Sequence, residues 1–284
     1  MDDIPYEFVD RVFTKLNADT IHTVSVETPI WKEVARVYKE RTQLYYVSLC
    51  LGTNSDRFSF TICDTAQHRQ FTLNEALQWD SRFKRVCTLY VSTEGERHSI
   101  NAAADESLAD LLDYVTKFNL TSTVLANLDK ASTNLQKRMC ESDLRTESLR
   151  IVNWFPGGEE FLRKQLRNDE LESLTGCGFC DADLKADIEP FVCRQNFRIF
   201  HFNAECIDVQ NFKSIIASWR TAKPRRALSI RVATKKNLYE EFASWMNPTS
   251  KECKGAQFTE EIGNYNLRIE CEDRLCTLSF RNKM

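Results

Sequence analysis

Val86-Cys87-Thr88-Leu89-Tyr90-Val91 sets the pattern by which the chain is read, with apolar residues at its first, fourth and sixth positions. The same spacing returns, with substituted anchors, at Thr121-Ser122-Thr123-Val124-Leu125-Ala126, Thr146-Glu147-Ser148-Leu149-Arg150-Ile151 and Leu171-Glu172-Ser173-Leu174-Thr175-Gly176. It returns again at Phe197-Arg198-Ile199-Phe200-His201-Phe202 and Arg225-Arg226-Ala227-Leu228-Ser229-Ile230. The central residues stand at 89, 124, 149, 174, 200 and 228, so the steps are 35, 25, 25, 26 and 28. Each hexapeptide reads as a strand, and the intervals carry apolar residues at helical spacing. Leu108, Leu111, Leu112, Val115 and Phe118 make one such face; Val209, Phe212, Ile215, Ile216 and Trp219 make another, opened by Asp208 as a helix N-cap.

Strand–helix units of this size cannot bury their apolar faces singly, and stacking them side by side solves the problem. Leucine-rich repeats run at about 20–29 residues with a strand of the same form, and four of the five steps fall in that range. The pattern therefore predicts a degenerate leucine-rich-repeat-like β/α solenoid over residues 84–246, its parallel strands on the concave side. An ordinary α/β domain also alternates strand and helix and remains the alternative.

The flanks differ from the repeats. Residues 1–42 read as helical, with Phe8, Val9, Val12, Phe13 and Leu16 on one face and a second helix from about Trp31 to Tyr38. Residues 43–83 open with a hairpin, Tyr45 to Leu51 against Phe58 to Ile62, turned at Gly52-Thr53-Asn54-Ser55-Asp56. Residues 247–284 close with a second hairpin, Leu267 to Cys271 against Leu275 to Phe280, expected to cap the last repeat. The predicted class is α/β: an N-terminal helical module, the solenoid and a capping hairpin.

Composition narrows the function. Hydrophobic residues make up 42% and charged residues 28%, enough for a core and too apolar for a disordered chain. The net charge of −3 supplies no general attraction to nucleic acid or anionic membrane, and neither is expected as a partner. Only 8 glycines are present, and no glycine-rich phosphate loop occurs among them. Eleven cysteines, an acidic start without a signal-peptide pattern and no long apolar run predict reduced thiols and an intracellular protein, cytoplasmic or nuclear.

The opening Ile4-Pro5-Tyr6-Glu7-Phe8-Val9-Asp10-Arg11-Val12-Phe13-Thr14-Lys15-Leu16, followed by Trp31, resembles a divergent F-box. The segment from Asp208 to Arg220, a helix ending in Trp219, leads to Ala227-Leu228-Ser229-Ile230. With the closing hairpin at Tyr265–Phe280 it resembles the F-box-associated type 2 domain of nematode families, over about 195–284. The chain departs from the F-box pattern in a shorter interval before Trp31, in Asp19-Thr20-Ile21 where an acidic-leucine step is usual, and in Ile30 before the tryptophan. The resemblance implies a substrate-recognition adaptor of a Skp–cullin–F-box ubiquitin ligase. Pro5, Phe8, Val12 and Leu16 would then face the Skp adaptor subunit, and the repeat face would hold an unknown target protein. The same helical face packing on the rest of this chain is the competing reading, which gives a repeat scaffold that does not bind the Skp subunit.

Target contacts on the repeat face are expected from strand residues that alternate with the apolar anchors: Tyr90, Arg150 and His201. Lys223, Arg225, Arg226, Arg231, Lys235 and Lys236 form a basic cluster, read as solvated or as part of a surface for an acidic protein target. Cys177 and Cys180, with Cys193 and Cys206, have the thiol chemistry of a zinc site, but their spacing fits no standard finger. Cysteines beside a strand and at a helix end are read first as small buried hydrophobes. Without a nucleophile or metal motif, no enzyme activity, metal or other cofactor is expected.

Overall fold

Two amphipathic helices, α1 Tyr6–Lys15 and α2 Pro29–Arg41, come first, as the apolar spacing predicts. Pro29 occupies the first turn of α2, where its missing N–H costs no hydrogen bond. The computed structural model describes residues 5–16, 21, 28–53, 55–93, 107–180, 184–194, 196–204, 208–221, 227–233, 239–245, 250–252, 255–262, 265–272 and 275–282. The chain divides into two units, Met1–Glu147 and Ser148–Met284. Both are mixed α/β, with helices and strands of a sheet.

In the first unit β1 Gln43–Leu51 is the central strand. It pairs antiparallel with β2 Phe58–Asp64, the hairpin read from the sequence, and parallel with β4 Lys84–Thr93. The short β3 Gln70–Phe71 lies outside β2, and β5 Leu120–Ala126 runs parallel to β4, so the order is β5-β4-β1-β2-β3. Val47 stands opposite Ile62 and Leu89, and Leu49 opposite Phe60 and Val91; all are buried. Three helices fill the connections. Helix α3 Leu73–Leu77 starts with a reciprocal Thr72–Glu75 capping box, α4 Leu108–Val115 is capped by Ser107, and α5 Thr133–Glu141 by Ser132.

The second unit continues the alternation. Its strands begin with β6 Thr146–Ile151, followed by helix α6 Gly158–Leu166, β7 Ser173–Cys180, α7 Lys185–Val192, β8 Ile199–Ala204, α8 Val209–Thr221, β9 Leu228–Ala233 and α9 Tyr239–Trp245. Strands β6 to β9 are mutually parallel neighbours. Gly157 takes a left-handed φ of 78° where the chain turns into α6, a conformation that costs glycine little. Asp208 accepts the Asn211 N–H at 3.0 Å, and Asn211 Oδ1 accepts the Asp208 N–H at 3.0 Å, so the expected N-cap is a reciprocal pair.

Beyond α9 come β10 Ser250–Glu252, β11 Gly255–Ile262, β12 Tyr265–Glu272 and β13 Leu275–Asn282. Strand β13 pairs antiparallel with β9, and the order β6-β7-β8-β9-β13-β12-β11-β10 follows. The closing hairpin, expected as a cap on the last repeat, joins the sheet edge-on by pairing β13 with β9. Strands β10 and β11 had no counterpart in the sequence reading. Among the described residues no helix is long and apolar enough to cross a membrane.

Register sorts the side chains of this unit by face. Leu149, Leu174, Phe200, Ile230, Leu278 and Ile269 fall opposite one another strand by strand, and all are 0% exposed. Helices cover this side. Phe191 of α7 lies 6.4 Å from Phe200, and Trp219 of α8 stacks on Phe280 at 3.8 Å. Residues one position away alternate to the opposite side. Phe200→Ala opens a cavity in the apolar row, so we expect a loss of about 3–5 kcal/mol in urea denaturation. Thr175→Ala on the opposite side is expected to stay within about 1 kcal/mol.

Candidate interaction surfaces

The N-terminal helices hold a core of their own. Val9, Phe13, Ile21, Val34, Ala35 and Tyr38 are buried together, with Leu16, Ile30, Trp31 and Phe83 packed against them. The Tyr38 hydroxyl donates to Asp10 Oδ1 at 2.9 Å and lies 3.0 Å from Thr14 Oγ1, tying α2 to α1. Arg85, buried at the start of β4, donates from Nη2 to the Phe13 carbonyl at 2.9 Å and from Nη1 to the Leu16 carbonyl. Both carbonyls lie at the C-terminal end of α1, the negative end of the helix dipole, where that of Phe13 also accepts the Leu16 N–H at 3.2 Å. Burial lowers the pKa of this guanidinium from its ordinary value.

The four residues implied as Skp contacts do not share one environment. Pro5 is exposed, Phe8 is 53% exposed, Val12 is half-buried, and Leu16 packs on the internal cluster. Tyr6, which the sequence reading passed over, is 49% exposed beside them. Phe8 meets half-buried Trp31 edge to face at 6.5 Å. The first and last parts of the F-box-like pattern are therefore in contact, and an aromatic patch stays in water while Val9 and Phe13 are sealed inside.

The second surface is the polar side of the second unit's sheet. Arg150 stands opposite Thr175, Thr175 opposite His201, and His201 opposite Arg231. Arg150 and Arg231 are exposed; Thr175 and His201 are half-buried. The sequence guess thus placed Arg150 and His201 in a single row, with Thr175 between them. Tyr90 is half-buried on β4 of the first unit, between Ser48 and Val124. Sequence reasoning missed Thr175 and read Arg231 only as one member of the basic cluster. Arg231 alternates with Ile230 and Val232, which was the available signal, but only the strand register aligns it with His201.

His201 Nε2 lies 3.0 Å from Ser229 Oγ. Partial burial, then the Arg231 charge, lowers its pKa from the ordinary 6.5, so the ring is neutral at pH 7. Of the basic cluster, Arg198 pairs with Glu172 at 2.8 Å. Arg194 donates to the carbonyls of Leu166 at 2.7 Å and Asn168 at 2.6 Å. Lys223, Arg225, Arg226, Lys235 and Lys236 lie outside the described residues.

Of the thiol set, Cys206 and the side chains of Cys177 and Cys180 lie outside the described residues; the Cys177 backbone falls where the β7–β8 register shifts. Burial pushes the Cys193 thiol up, against the thiolate that a metal needs. Among the described residues no three His, Cys, Asp or Glu side chains are grouped to hold a metal ion. Cys271 and Cys276 face each other across β12 and β13, Sγ to Sγ 3.4 Å, both buried, and the contact with Cys276 and burial push the Cys271 thiol well above its ordinary value.

No family model, no curated protein and no solved structure matches the chain.

Arg85→Ala strips donors from the end of α1. A loss of about 1.5–3 kcal/mol is expected, read as faster amide exchange over α1 with the strands of the second unit unchanged. For His201 the lowered pKa means that the unfolded chain takes up the proton first as pH falls below about 6.5, so stability declines there until the folded ring also titrates. Titration by NMR should find the His201 midpoint below the ordinary value. Arg231→Gln should raise it part of the way back, because desolvation remains.

Proposed function

We propose that the chain is a recognition adaptor without catalysis of its own. Its N-terminal helices dock on the Skp subunit of a Skp–cullin–F-box ubiquitin ligase, in the cytoplasm or nucleus, and its polar sheet face holds a target protein. The architecture that goes with this reading is an F-box-like module followed by leucine-rich-repeat-like β/α units stacked as a solenoid. The parallel register of β6 to β9 and the helices on their apolar side support that stacking.

The observation that carries the docking reading is the division of α1. Val9 and Phe13 are 0% exposed, whereas Tyr6 and Phe8 remain about half in water. Two neighbouring aromatics left exposed on one turn, with Trp31 alongside, suit a partner that buries them. The competing scaffold reading draws on Arg85, whose bonds to α1 integrate the helices into their own unit whether or not anything binds outside.

Co-expression with the Skp subunit separates the two. Wild type is expected to co-purify with it, and Tyr6→Asp/Phe8→Asp is expected to lose the complex while keeping its circular dichroism and melting temperature, because neither residue is in the internal cluster. A folded wild type that recovers no Skp subunit leaves the scaffold.

A further inference from the structure

The polar face of β6 to β9 has a charge pattern that names a class of partner. Its central row is Arg150, Thr175, His201 and Arg231. The adjacent row is Ser148, Ser173, Ile199 and Ser229. Among the described residues none of these positions is acidic, and neither Arg150 nor Arg231 meets a carboxylate at ion-pair distance. Several other arginines of the unit are matched: Arg163 and Arg167 with Asp187, Arg198 with Glu172, Arg268 with Glu270. Beyond Arg231 the row runs on through Thr277 to Glu270, whose carboxylate is taken by Arg268; within β6 to β9 the two exposed arginines, with hydroxyls between, are an incomplete electrostatic arrangement.

We infer that this row binds an extended acidic peptide segment of the target protein, lying across the strands. The row spans three inter-strand steps, about 14 Å at ~4.8 Å each. An extended chain advances ~3.3 Å per residue, so carboxylates four residues apart reach both guanidiniums at once. Thr175 and the serine row supply hydroxyls for the backbone between them. Single-stranded nucleic acid fits this face less well: it needs aromatic platforms for its bases, and neither row carries a Phe, Tyr or Trp. The inference rests on the target-holding half of the proposed function and is independent of Skp docking.

The test is fluorescence anisotropy on the full chain with a labelled Glu-Thr repeat peptide of about ten residues. The matching Gln-Thr peptide and an oligothymidylate serve as the other probes. Saturable binding of the Glu-Thr peptide is expected, weakening as salt rises and by about tenfold in Arg150→Glu or Arg231→Glu. Lys137→Glu, an exposed change on α5, should leave it unaltered, and the Gln-Thr peptide should not bind. No saturable binding, undiminished binding in the Arg150→Glu/Arg231→Glu variant, or tighter binding of oligothymidylate through the same arginines overturns the inference. Tyr6→Asp/Phe8→Asp should keep peptide affinity. Peptide binding without Skp binding overturns the ligase reading alone, and Skp binding without peptide binding overturns this inference alone.

Discussion

Strands held in register send every second side chain to the same side of a sheet, and the second unit is organised by that constraint. Leu149, Leu174, Phe200 and Ile230 must then share one face, and Arg150, Thr175, His201 and Arg231 the other. A slip of one residue in β6, β8 or β9 would drive an arginine or histidine under the helices and put Leu149, Phe200 or Ile230 in water. Each such exchange is penalised twice, by desolvated charge and by lost apolar burial. Parallel sheets are ordinarily covered on both faces. Here the helices cover one, and the strands alternate where doubly covered ones would be apolar throughout. The open polar face is thus a consequence of how the core is specified.

The first unit solves a different problem. Two short helices enclose too little apolar surface to stand alone, and theirs is completed by Phe83 and by the guanidinium of Arg85. The cation serves as donor to the helix end and as a lid on the ring of Tyr38, 5.8 Å from its centre. Docking α1 through its C-terminal end and its Val9–Phe13 side leaves its first turn outward. Exposure of Tyr6 and Phe8 therefore follows from where the anchor sits.

Element alternation was legible because buried anchors recur at fixed steps, and the strand positions at Leu89 and Leu149 came straight from them; in β5 the anchors are Thr123 and Leu125, and Val124 of the template is half-buried opposite Tyr90. The later strands start further along than their templates, β7 at Ser173 and β8 at Ile199. Leu171 and Phe197 are buried as the template requires, but each closes a turn by bonding back to Asn168 or Arg194, so burial alone misled the boundary. Helix α5 offers a thin apolar pattern because its third inward residue is Gln136, a polar side chain satisfied by the carbonyls of Leu128 and Ala131. Strands β10 and β11 carry few apolar residues, as strands near a sheet edge can. The long-range role of Arg85 leaves no local trace, for its partners lie 69 and 72 positions away.

The bonds that join successive strand–helix units span similar lengths of chain. Arg194 reaches back 26 and 28 residues to its carbonyls, Ser218 reaches back 25 to that of Cys193, and His201 meets Ser229 at a separation of 28. On a ribosome adding about 5–20 residues per second, each strand–helix unit can be fastened to its predecessor within seconds of emerging. Strand β9 is the exception. Its outer partner is β13, made only after α9 and three further strands, so the nascent protein presents an unpaired edge during that interval. The C-terminal meander closes that edge to other chains being translated nearby, and its synthesis sets how long the window stays open.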